Sequence, residues 1–198
     1  MNFDTNRTHP NLKGHTMEWT IGKNVPWNAT WSGEDRCEIR PCKYAGGRLA
    51  VWSPFKPGLG KPLFAKPHMV RQRAAIAESR CTVCGGITSK SDRWWFPFGD
   101  WHGDWWVSTE SAVHKSCAAI ATAACPAIKR QSLKPIPFPG GETKLFAMVG
   151  GDQTDLDFGI KTRGRHIVGH LKLAWRNPFF LDPTWAHPAT GPTFDISK

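Results

Sequence analysis

Tyrosine is nearly missing from this chain, at one residue in 198, and acids are scarce, with 16 Asp and Glu against 26 Lys and Arg. No stretch approaches the roughly 18 apolar residues that a membrane-spanning helix needs; the most apolar helical run, AAIATAACPAI, is short and Ala-rich. The polar start MNFDTNRTHPNLKG lacks the apolar segment of a secretory signal. No phosphate-cradling glycine loop, H-E-x-x-H pair or Ser-His-Asp arrangement is present, and neither is an internal repeat or a low-complexity tract. These absences argue against a membrane partner, P-loop and zinc-protease chemistry, and a solenoid. No small-molecule substrate is evident. The expected location is the cytoplasm, where thiols stay reduced and paired cysteines more often signal metal than disulfide.

Tryptophan, by contrast, is abundant at 11 residues, and the formal charge is +10. The charge is uneven. Arg40 to Ala77 holds eight basic residues and no acid, and a second acid-free stretch runs from Phe158 to Leu181. Such blocks favour an anionic partner, either nucleic acid or an acidic protein surface, or else form a solvated face. Nineteen glycines and sixteen prolines imply short elements and irregular connections.

Cys81 and Cys84 form a C-x2-C followed by Gly85 and Gly86. Alone, this reads as half a metal site, a redox pair or two buried thiols. No thioredoxin-like context surrounds it. Downstream, STESAVHKSCAAIATAACP has caps in Ser108 or Thr109, an acid at Glu110, filler alanines and a stop at Pro126, which places a helix at about 110–124. His114 and Cys117 stand three apart on one face of it. With Cys81 and Cys84 they complete a four-ligand set suited to one structural Zn2+. Cys125 lies eight residues beyond Cys117, about 12 Å along a helix, too far to share the ion. Cys37 and Cys42, spaced C-x4-C, are expected to be plain buried residues, with a second metal as the alternative.

Between the two ligand pairs, ITSKSDRWWFPFGDWHGDWWVST reads as a hairpin of two Trp-rich segments around a turn at FGDWHGD. TMEWTIG is a possible short strand, Leu49–Trp52 a strand, and MVRQRAAIAESR a short helix. TKLFAMVGG is β-like. DFGIKTRG and RHIVGHLKLAW read as two strands joined near Arg163 and Gly164, with a Pro-rich strap after them. The fold class is α+β: a treble-clef-like unit of knuckle, Trp-rich hairpin and helix, embedded in a mostly β, loop-rich single domain. Its parts are an irregular basic region at 1–70, the zinc unit at 71–130, and a C-terminal hairpin and strap at 131–198.

The positions Cys81, Cys84, Gly85, His114, Cys117, Ala118, Cys125 and Pro126 resemble a set of uncharacterised phage and bacterial zinc-binding proteins, which carry a C-x2-C-G knuckle and an H-x2-C-A helix ending in Cys-Pro. The resemblance covers residues 70–130 and implies a phage or prophage origin, hence the cytoplasm of a host. It implies no activity.

Function is therefore sought on the surface. The first expectation is a non-catalytic protein that binds nucleic acid or a nucleoprotein complex. Arg71, Arg73, Arg93, Lys115, Arg163 and Arg165 are its candidate cations, and Trp95 and Trp105, with Trp94 and Trp106, its candidate platforms. Neighbouring tryptophans on a strand face opposite ways, so only half can serve. The alternative is an inhibitor that binds an acidic protein of a host machine or defence complex. A nuclease built on Asp100, His102 and Asp104 is less favoured, because the zinc helix offers no further His or Asn after Cys117, and enzymatic activity is not expected.

Overall fold

The protein is described from a computed structural model covering residues 18–138, 142–150, 160–161, 163 and 165–176. The strap after Arg176 and most of DFGIKTRG lie outside these residues. Sheets and a few helices give an α+β architecture dominated by strands and loops.

The chain runs through β1 (Ala29–Trp31), β2 (Glu38–Pro41), β3 (Leu49–Trp52) and β4 (Pro62–Pro67) into helix α1 (Met69–Glu78). It continues through β5 (Trp94–Trp95), β6 (Asp100–His102) and β7 (Trp105–Ser108) to α2 (Lys115–Ala124) and the short α3 (Pro126–Arg130). β8 (Ile136–Pro137), β9 (Thr143–Gly150) and β10 (Ile167–Arg176) follow. The N-terminal region thus holds four strands where the sequence marks one clearly. TMEWTIG is not among them, since its described residues make only an isolated bridge, Ile21 to Val25.

β10 organises the main sheet, in the order β2-β3-β10-β7-β6, with β9 also paired to β10. Its run IVGHLKLAWR is buried at most positions, as expected of a strand covered on both faces. Along one edge β10 changes neighbour: Val168 pairs in parallel with Ala50 of β3, whereas Leu173 to Arg176 pair antiparallel with β7. The strand residues between lack a ladder partner on that edge, and α1 supplies one. Gln72 Nε2 donates to the Leu171 and Thr109 carbonyls, Gln72 Oε1 accepts from the Leu171 N–H, and Arg73 donates to the Gly169 and Val51 carbonyls. Two buried polar side chains thereby seal the seam, consistent with the cost of leaving buried backbone groups unpaired.

α1 is tied to the N-terminal strands in the same way. Both Glu34 oxygens receive the Arg71 guanidinium, at 2.9 and 2.6 Å, and also accept the backbone N–H groups of Trp31 and Lys56. His68 caps α1, its Nδ1 accepting from the Arg71 N–H while Nε2 donates to the Pro54 carbonyl. The apolar core beside this lattice holds Trp95, Trp106 and Trp175, with the Trp95 and Trp175 rings 4.6 Å apart.

Two expected elements are shorter than the sequence suggests. The Trp-rich hairpin is only β6–β7, turning at Gly103 and Asp104 with Gly103 at φ 62, while β5 pairs with β8 instead. The helix expected at 110–124 begins at Lys115. Strand pairing claims the residues before it: Trp94 and Val113 exchange two backbone bonds of 2.8 Å, Ser108 Oγ accepts from the Glu110 N–H, and Ser111 donates to the Ala75 carbonyl.

Candidate metal centre

Cys81 and Cys84 sit on a tight turn closed by Gly85 N–H to the Cys81 carbonyl and Cys81 N–H to the Gly86 carbonyl, both 2.8 Å. Gly85 has φ +81, and a Cβ there would lie 2.7 Å from the Trp27 ring, so conformation and packing both demand glycine. The backbone N–H groups of Cys84, His114 and Val83 favour the Cys81 thiolate, against the burial that disfavours it. These are the donors a thiolate needs.

The other two ligands come from the start of α2. His114 is the N-cap, with ψ 155, and not a first-turn residue; Cys117 lies one turn into the helix. Asp92 takes the Lys115 N–H at 2.8 Å and fixes the helix end. The four ligating atoms of Cys81, Cys84, His114 and Cys117 all fall within 4.8 Å of one another, so they can hold one metal ion. The imidazole is oriented for it. His114 Nε2 lies 3.2 Å from the Ile87 carbonyl, which only accepts, so Nε2 carries the proton. Nδ1 is left with its lone pair facing the Cys84 and Cys117 sulfurs, at 3.4 and 3.9 Å. A carbonyl that fixes the tautomer in this way is a recurrent partner of metal-bound histidine.

The thiols are also of the right kind. All six cysteines are free. Burial, then the neighbouring Cys81 and Cys84 sulfurs, push the Cys117 thiol up to about 12, and burial pushes Cys81 up as well. A bound cation makes thiolates this close together tolerable. Among the described residues, neither Cys37 nor Cys42 joins a group of ligating side chains, and neither does Cys125, which caps the end of α2. Cys37 instead neighbours Ser53, at 3.8 Å.

The candidate surface residues divide sharply. Arg71 and Arg73 are buried, at 1% and 0% exposure, in the Glu34 and β10 contacts above, and this removes them from any surface. Trp95 and Trp106 are core residues. Arg93 is half-buried, donating to Thr88 with its guanidinium 5.4 Å from the Phe138 ring. Lys115 is exposed over Trp94, at 5.3 Å. Trp105 is half-buried beneath Lys144, at 4.4 Å. Arg163 and Arg165 are exposed. Sequence reasoning missed Lys43, 4.7 Å over Tyr44, and Arg40, 3.8 Å over Trp52. The adjacency of Lys43 and Tyr44 was a usable signal for the first, while the second needs the β2–β3 register. Of the acids in DWHGD, Asp104 is paired with Arg176 at 2.8 Å.

No helix among the described residues is long and apolar enough to cross a membrane. Comparison of the chain with known protein families, curated proteins and solved structures returns no match.

Proposed function

We propose that this chain is a non-catalytic binding protein, stapled by one structural Zn2+ in a treble-clef-like unit, whose ligand is nucleic acid with unpaired bases. Three thiolates and one imidazole are a donor set suited to zinc, and four protein ligands leave no open position for a reacting water. Cys81 and Cys84 come from a knuckle, His114 and Cys117 from a helix start, with the β6–β7 hairpin between, which is the order of elements in a treble clef.

The observation that carries the ligand class is the set of half-buried rings with exposed cations over them: Trp52 under Arg40, Tyr44 under Lys43, Trp94 under Lys115 and Trp105 under Lys144. Each such pair sets a π surface beside a cation, the combination that single-stranded nucleic acid engages, and phosphate would compete with Glu38, Glu78 and Glu142 for Arg40, Lys43 and Lys144. A gel-shift titration with single-stranded and duplex oligonucleotides at low and moderate salt tests this. Binding that weakens steeply with salt, and further on Lys43→Glu with Lys115→Glu, supports the reading. No complex at low salt overturns it.

A second reading, an inhibitor that binds a host protein, is favoured by Trp19 and Phe64, whose exposed rings meet at 5.6 Å. Paired apolar rings at a surface suit a protein interface. It would fit a phage-encoded product, an origin supported only by the resemblance of the zinc unit.

A further inference from the structure

Beside the knuckle lies a cleft of about 550 Å3, within the range of small-ligand sites. Val70, Arg71 and Ala74 of α1 line it together with Trp27, Tyr44 and Phe55, and Arg80 and the Cys84 turn border it. Three aromatic rings from separate segments thus converge on one space next to the metal ligands.

Two features distinguish this cleft from an ordinary surface groove. Phe55 is 57% exposed, yet its ring is held in place: the Arg71 guanidinium lies 5.2 Å from its centre, and the His68 ring meets it edge-on at 6.0 Å. An exposed phenyl anchored on a buried, ion-paired base is a preformed platform, available to a ligand without the entropy cost of ordering it. The second feature is Glu78. Its carboxyl, held below the usual range by Arg80 and then Tyr44, accepts Tyr44 Oη at 2.8 Å and Arg80 Nε at 2.5 Å. Arg80 also donates from Nη1 to the Gly85 carbonyl, and its Nη2 takes no partner among the described residues. Lys43, 3.7 Å from Glu78 and 4.7 Å over the Tyr44 ring, is a second cation beside these residues.

We infer that this cleft receives one unpaired nucleobase, stacked against the Phe55, Tyr44 and Trp27 rings, with its phosphate at Arg80 Nη2 and Lys43. This rests on the nucleic-acid reading above and locates it. Glu78 is a positioning residue that aims Tyr44 and Arg80. An aromatic lining favours a base over an acidic peptide, whose carboxylates would gain nothing from three rings.

The test is a fluorescence-anisotropy titration of the metal-loaded full chain with three labelled probes of equal length: an oligothymidylate, an oligouridylate, and an abasic oligomer with the same phosphates. The expected result is at least about ten-fold weaker binding of the abasic probe, and a similar loss of oligothymidylate or oligouridylate affinity in Phe55→Ala. Phe55 is exposed, so this variant is expected to fold, and an unchanged melting temperature checks that it has. In Phe55→Ala the preference for based over abasic probes should collapse. Equal affinity for based and abasic probes in the wild type would overturn the cleft while leaving electrostatic nucleic-acid binding standing. Failure of every probe to bind at low salt would overturn both. Base-dependent binding of oligothymidylate alone in the wild type, lost in Phe55→Ala, would assign the cleft to DNA, and of oligouridylate alone to RNA.

Discussion

Arg71 and Arg73 show why charge in a sequence does not specify surface. Both fall in an acid-free stretch, but Arg71 is neutralised by Glu34, 37 residues away, and Arg73 spends its donors on β10 and β3 carbonyls. Neither partner can be paired with its arginine by local spacing. Arg71→Ala should therefore act first on stability, because it strands the buried Glu34 carboxylate; the expected loss is about 3–5 kcal/mol, measured by urea denaturation. His170 makes a pH-dependent counterpart. Burial, and then the charges of Arg73 and Lys172, lower it to about 4 from its ordinary 6.5. Above pH 6.5 it is neutral folded and unfolded alike and adds no pH dependence. As pH falls from 6.5 towards 4 the unfolded chain takes up a proton that the native chain resists, so stability drops, by on the order of 2–3 kcal/mol. Denaturation midpoints at pH 7.5 and 5 would show the drop, and His170→Gln should reduce it; His68, also lowered by burial, should account for part of what persists.

At the scale of elements, the knuckle was legible and the hairpin less so. Cys81, Cys84 and the two glycines fix their own turn, and His114 and Cys117 belong to the helix start whichever residue begins it, so the four ligands could be read from spacing. The start of α2 could not, because Val113 is claimed by pairing with Trp94, 19 positions earlier, a tertiary contact that outranks the local capping signal at Ser108 and Thr109. The same contest moved β5 from β7 to β8. The seam in β10 left no sequence trace at all, since Gln72 and Arg73 look like the polar face of an exposed helix. At the knuckle, Gly85→Ala should cost more than about 1 kcal/mol and weaken metal retention, because φ +81 and the Trp27 ring both oppose a side chain. Competition with a chromogenic chelator would read this directly. Cys125→Ser, outside the ligand group, should retain metal as the wild type does.

For the molecule as a whole, the main sheet draws strands from the beginning, middle and end of the described chain, and α1 links the candidate metal site to these regions through Arg71, Gln72, Arg73 and Glu78. The candidate metal centre lies outside this sheet, and removing a bound ion should loosen the knuckle and the adjoining cleft before the β10 sheet. Hydrogen exchange with and without chelator should show protection lost first at Arg80–Ile87 and the start of α2, with β10 amides affected least. Should β10 open together with the knuckle, the staple would instead hold the whole fold.

The closed metal site is tested most directly by the metal content of the purified chain, read by elemental mass spectrometry. The wild type should hold one zinc per chain, retained in Cys125→Ser and lost in Cys84→Ser and Cys117→Ser. A wild-type chain purified without chelator that holds no metal, and takes up none on zinc addition under reducing conditions, would contradict it.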